Sequence, residues 1–170
     1  MKNLVVLAVT AVLAACGGGS KNVRPGGGGD DTPQWVSQGS GAFTGESGRK
    51  LQGVGLSRDS DPKTRRQAAD GGARRQLQVA VDALAAALSK MSESTKDNVG
   101  DDISAIARKA AQGAQHVRDH WVTSDGSESA LDQIDLAGFK QALQSAEGDE
   151  KLKSEMGNNV DRAFDQLAKQ

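Results

Sequence analysis

Apolar residues recur at three- and four-residue steps through the middle of the chain, at Ala69, Ala73, Leu77, Val81, Leu84, Leu88 and Met91. That period predicts one long helix, from about residue 63 to 91, with a single buried stripe. Asp61 can cap its start, and Pro62 suits its first turn. Gly71-Gly72 interrupts the stripe at a cost of about 1 kcal/mol per residue relative to Ala. Either the helix bends there or the glycines permit close contact with a neighbouring strand, the preferred reading. The candidate strand immediately precedes the helix. Leu51-Gln52-Gly53-Val54-Gly55-Leu56-Ser57-Arg58 places Leu51, Gly53, Gly55 and Ser57 on one face and Val54 and Leu56 on the other. A face so poor in side-chain volume predicts a helix lying close across it.

Weaker patterns flank this pair. Pro33-Gln34-Trp35-Val36 opens the folded part, with Trp35 as an apolar anchor, and Gly39, Gly41, Gly45 and Gly48 then alternate with Ser and Thr. The spacing fits neither nucleotide fingerprint, and a strand pair or a loop that needs glycine dihedrals accounts for it. Ser92 to Gly100 is polar and ends the long helix. Asp101 and Asp102 head a second helix carrying Ile103, Ile106, Ala110 and Ala114, with Gly113 near its end. Two short apolar segments, Val117 to Val122 and Ala130 to Leu136, flank Asp125-Gly126 and predict a β-hairpin. The second arm alternates imperfectly and also suits a helix. Leu136, Phe139, Leu143 and Ala146, then Leu152, Met156, Val160, Ala163, Phe164 and Leu167, predict two amphipathic C-terminal helices. Gly157-Asn158-Asn159 is a candidate kink in the last one.

The beginning of the chain has a different character. Lys2 precedes a run from Leu4 to Leu13 interrupted only by Thr10, and small residues follow, which is the layout of a secretory signal too short to span a bilayer. Leu13-Ala14-Ala15-Cys16 resembles the lipobox of bacterial lipoproteins, in which the cysteine sulfur receives diacylglycerol, cleavage occurs before the cysteine, and its new amine is acylated. An ordinary signal peptide with a stray cysteine is the competing reading. Two or more acyl chains would make anchoring stable. Gly17, where the sorting pattern for inner-membrane retention has Asp, favours the outer membrane. The expected organisation is a signal peptide at 1–15, a flexible Gly-rich tether at 16–32, and a single domain at 33–170.

Composition removes several function classes. A formal net charge of −1 with interspersed signs argues against nucleic acid as a partner. Cys16 is the only cysteine, so no disulfide can form within the chain and stability rests on packing. His116 and His120 are the only histidines. They lack a third His or Cys for a zinc site and read as two surface histidines. No Gly-x-Ser-x-Gly elbow marks a nucleophile. Asp101-Asp102 and Asp149-Glu150 fit helix starts, where negative charge is favoured. Arg65, Arg66, Arg74 and Arg75 read as a solvated basic edge. No catalytic residue, metal or cofactor is expected.

In order along the chain come Pro33-Gln34-Trp35-Val36, Gly53-Val54-Gly55, Arg66-Gln67-Ala68-Ala69-Asp70, Ala73-Arg74-Arg75-Gln76-Leu77, Trp121 before the Asp-Gly turn, and Ile134-Asp135-Leu136 leading to Phe139. This order resembles the Lpp-twenty family of small outer-membrane lipoproteins, whose relatives include flagellum-associated lipoproteins of the FlgP type. The resemblance implies an α+β domain with a long N-terminal helix packed on a small antiparallel sheet. It also implies no enzymatic activity and a structural, often oligomeric, envelope role. The expected partners are the membrane, through Cys16, and either further copies of the chain or other envelope proteins. A binding module for a small ligand or envelope polymer is the alternative, and an exported hydrolase is a poorly supported third.

Overall fold

The computed structural model describes residues 32–94 and 97–169. Leu13, Ala14, Ala15 and Cys16, with the expected signal peptide and all of the tether but Thr32, lie outside the described residues. The described chain is α+β. It begins with a short helix, α1 (Gln34–Gln38), and a hairpin of β1 (Gly41–Gly45) and β2 (Gly48–Ser57). The long helix α2 (Pro62–Ser89) and α3 (Val99–Gly113) follow, then β3 (His116–Val122), β4 (Glu128–Asp135), α4 (Leu136–Ser145) and α5 (Glu150–Leu167). All strand pairings are antiparallel, in the order β1-β2-β4-β3. The long helix is therefore not the N-terminal element that was expected. It follows the hairpin it packs on.

Local chemistry sets most boundaries as expected. The Asp61 carboxylate accepts a hydrogen bond from the Thr64 backbone N–H at 2.7 Å, and Pro62 occupies the first turn of α2. Asp135 caps α4 by accepting from the Gly138 N–H at 2.6 Å, and Asp149 caps α5 through the Lys151 and Leu152 N–H groups. Asp101 and Asp102 lie in the first turn of α3, which ends at Gly113. In the β3–β4 turn Gly126 takes φ +81°, a left-handed conformation that costs glycine nothing. Helix α5 runs without interruption through Gly157-Asn158-Asn159.

Helices α2 to α5 lie on one face of the sheet. Cross-strand register puts Leu51, Gly53 and Gly55 of β2 beside Ile134, Asp132 and Ala130 of β4 on that face. A Cβ added at Gly53 would lie 2.0 Å from the Ala73 carbonyl oxygen and 2.2 Å from the Leu77 nitrogen. One at Gly55 would lie 2.0 Å from the Ala69 oxygen. Gly72 completes the fit, its own notional Cβ falling 3.0 Å from the Gly55 Cα. The glycine pair thus serves contact, and the helix is continuous through it. Beyond this seam of small residues the core grows larger and aliphatic. Leu51, Leu77, Val81, Leu84, Ile103, Ile134, Phe139, Leu143, Met156, Val160 and Phe164 are all buried in one cluster.

A buried cation closes the α4–α5 junction. Lys153 is 5% exposed, and its ammonium donates to the carbonyl oxygens of Gln144 and Ala146 at 3.2 and 3.0 Å while pairing with Glu150. Those carbonyls end α4, where positive charge is favoured.

Alanine at Gly53 or Gly55 collides with backbone, which no rotamer change can relieve. Each substitution should cost at least about 3 kcal/mol, the upper range for overpacking. Gly45→Ala meets nothing within 4 Å and should cost less than about 1 kcal/mol. Urea unfolding monitored by circular dichroism distinguishes them, and equal costs would show that the seam is not tight.

Candidate functional site

Strand alternation sorts the candidate chemistry onto two faces. His116, Arg118 and His120 of β3 point to the helix side, in register with Ile134, Asp132 and Ala130. His116 Nδ1 lies 2.7 Å from Asp132 Oδ1, and its Nε2 lies 3.0 Å from the Ala111 carbonyl oxygen. His120 Nε2 lies 2.7 Å from Asp70 Oδ1, and the Arg66 guanidinium donates to its Nδ1 at 3.2 Å. Because Arg66 can only donate, that bond fixes the His120 tautomer that donates to Asp70.

The two histidines are therefore not the free surface pair expected. Their side chains are only 23% and 15% exposed, and every ring nitrogen is engaged. A ring whose nitrogens are engaged this way has no free lone pair to offer a metal or an incoming proton. Among the described residues no three of His, Cys, Asp and Glu converge as a metal site. The basic edge is solvated as expected at Arg66, Arg74 and Arg75, which are exposed, and departs from that reading at Arg65. Arg65 is 17% exposed and lies 3.6 Å from buried Glu128, and Arg66 holds His120. These contacts form a polar seam between α2 and strands β3 and β4.

Ionised carboxylates elsewhere have local explanations. Asp125 accepts from the Thr123 hydroxyl and from the Ser127 N–H and hydroxyl, which lowers its pKa to about 2. It locks the β3–β4 turn. Asp161 is held below the ordinary range first by the Lys140 ammonium at 2.8 Å, with Arg49 adding at 2.6 Å. Arg49 also sits 5.8 Å from the Phe164 ring centroid, tying the start of β2 to α5.

The opposite face of the sheet carries Gln52, Val54 and Leu56 of β2 beside Gln133, Leu131 and Ser129 of β4, with Val117, Asp119 and Trp121 of β3 beyond them. Phe43 and Lys50 share its β1 end. The cover on this side is α1, which lies against β4. The Gln52 amide donates to the Gly39 carbonyl at 2.6 Å, and the Ser40 hydroxyl accepts from the Val54 N–H at 2.9 Å. Trp35 is buried beneath α1. Its indole Nε1 and the Gln52 Oε1 have no hydrogen-bond partner among the described residues. Leu56 and Val117 remain 56% and 52% exposed, and Val54 and Trp121 are half-buried. A strand face turned to water ordinarily carries polar residues. This one keeps apolar residues, and it is the candidate interaction site.

A separate groove of about 480 Å³ runs between β1, α2 and the end of α5, lined by Gln38, Phe43, Val79, Ala80, Ala83 and Leu167 among others. No family model, curated protein or solved structure matches the chain.

The seam makes a graded prediction. Asp132 is 3% exposed and Asp70 is 28% exposed, so Asp132→Ala should cost about 3 kcal/mol and Asp70→Ala about 1 kcal/mol. Chemical unfolding measures both, and a reversed order would mean that His116 does not depend on Asp132.

Proposed function

We propose that the protein is a lipid-anchored bacterial envelope lipoprotein whose mature chain begins at Cys16 and whose α+β domain has a structural or assembly role. The observation that carries this reading is Leu13-Ala14-Ala15-Cys16 at the end of a short apolar run, with the only cysteine of the chain at the position lipidation requires. Gly17 directs the anchor to the outer membrane. The engagement of both histidines within the polar seam supports a non-catalytic role, and the apolar sheet face supplies a surface for contact. The Lpp-twenty resemblance belongs to the same reading.

Cys16→Ser tests it. The variant should lose incorporation of labelled palmitate, accumulate as unprocessed precursor and leave the outer-membrane fraction. Full membrane retention with normal maturation would overturn the proposal.

A second reading, a binding module for a small ligand or envelope polymer, is favoured by the groove beside β1, whose volume falls in the range of ligand sites. Sizing the detergent-solubilised protein separates the two. A stable ring or other oligomer is expected for the assembly role, whereas a monomer whose uptake of an apolar dye is lost in Val79→Asp would favour binding.

A further inference from the structure

Three features of the open sheet face converge on one occupant. The first is where the chain enters. Thr32 and Pro33 lead directly into α1, and α1 lies on this face against β4. The first described residues, Thr32 and Pro33, therefore lie on the open side, opposite the helical layer.

The second is reach. Sixteen residues separate Cys16 from Pro33, half of them glycine or serine. A Gly-rich chain of that length has a root-mean-square span of about 20–25 Å. An anchor at Cys16 would keep the face within a domain's width of the bilayer, at an effective concentration in the millimolar range. A contact too weak to form in free solution forms readily under that condition.

The third is area. A four-stranded sheet with about seven paired residues per strand presents roughly 450 Å², and α1 takes part of that. A stable protein–protein interface needs about 800 Å² from each partner. What remains is Leu56 and Trp121, which flank buried Ser129 in one cross-strand row, with Val54 and Val117 in the rows beyond, a set small for a second copy of the chain. It suits shallow insertion at a lipid interface, where an indole ring with its polar edge is favoured.

We propose that this face rests on the phospholipid bilayer that carries the Cys16 anchor, with Trp121 and Leu56 inserted at the headgroup–acyl boundary. The proposal builds on the lipoprotein reading above. Lys50 stands opposite Asp135 on the face and Asp119 adds a second acid, so the face has no excess positive charge and contact depends on apolar insertion, not on attraction to anionic lipid. The helical layer, with the groove beside β1, is then turned outward from the membrane.

Trp35 and Trp121 are the only tryptophans, so fluorescence can test this directly. The full-length lipidated protein is reconstituted into phosphatidylethanolamine–phosphatidylglycerol vesicles, with or without bromine on the acyl chains. Trp121 emission should shift to the blue and fall about twofold with bromine, because an inserted ring meets the quencher. Trp121→Phe should abolish the quenching, since Trp35 lies beneath α1, and Leu56→Asp should reduce it several-fold while the protein still floats with the vesicles. Protein that floats without any quenching would overturn the proposal and leave the anchor intact. Unchanged quenching in Trp121→Phe would place Trp35 and α1, not Trp121 and Leu56, at the lipid and overturn the proposal. Crosslinked pairs that shield Trp121 without quenching would assign the face to a second copy. Failure of the processed protein to float at all would remove the lipoprotein reading and this proposal together.

Discussion

Backbone-to-backbone contact between β2 and α2 is the constraint from which the rest of the architecture follows. Helices usually meet sheets through two layers of side chains. Here Gly53 and Gly55 remove one layer, and the peptide groups of α2 between Ala69 and Leu77 occupy the space where their side chains would stand. Ala69, Ala73 and Ala130 pack as a small cluster at the same place. The contact fixes both the register of α2 along β2 and its height above the sheet. The large aliphatic residues lie beyond the glycine seam, around Leu51, Leu77, Leu84 and Ile134, where α3, α4 and α5 contribute the remaining volume.

The polar seam is a consequence of that close approach. A helix pressed onto β2 brings its neighbouring side-chain row near β3 and β4, and on α2 that row is Arg65, Arg66 and Asp70. The strands answer with Glu128 and His120, and Asp132 pairs with His116 close by. Buried charges persist only when paired or hydrogen-bonded, because desolvation otherwise drives them to neutralise or out to water. This explains a central strand that reads as Glu128-Ser129-Ala130-Leu131-Asp132-Gln133 yet is almost wholly buried. It also explains why two His–Asp pairs serve to join elements of the fold. The same rings that could resemble catalytic parts have both nitrogens committed.

Local signals were readable in the sequence, and distant pairings were not. The Gly53–Gly55 face, the Asp61-Pro62 start of α2, the Asp125-Gly126 turn and the acidic starts of α3 and α5 each arise within a few residues, and each stands in the structure. The partners of His116 and His120 lie 16 and 50 residues away, and no local pattern announces them. Ambiguity in β4 had the same origin. Its alternation is broken by acids whose partners sit on α2 and β3, so periodicity alone left helix and strand both open. The chain's own pattern put the long helix at about 63–91, directly after a strand, and it stands there; only the N-terminal position that the resemblance implied does not hold. Of the candidate site, the lipobox-like Leu13-Ala14-Ala15-Cys16 is a sequence feature throughout, whereas the open apolar face emerges only once the register of four strands is known.

That face inverts the usual distribution of volume in a one-sided sheet. Strand β2 gives its helix-facing side to glycine and turns Val54 and Leu56, its bulkier members, toward α1 and solvent. The inversion follows from the glycine seam, since a strand that must admit a helix backbone on one side can place aliphatic volume only on the other. Burying a Leu or Val side chain is worth about 1.5–3 kcal/mol, and an isolated domain forgoes most of that at an exposed Leu56. A second helix the length of α2 on this side would recover it and leave an ordinary two-sided sandwich. Among the described residues this side carries only the five-residue α1, which buries its Trp35 and lies against β4 but leaves Leu56 exposed. Uncovered apolar surface beside the point where the N-terminal segment enters is costly for a freely diffusing domain and useful for a tethered one. It is on this pairing of entry point and exposed residues, more than on any single residue, that the proposed orientation of the sheet toward a membrane rests.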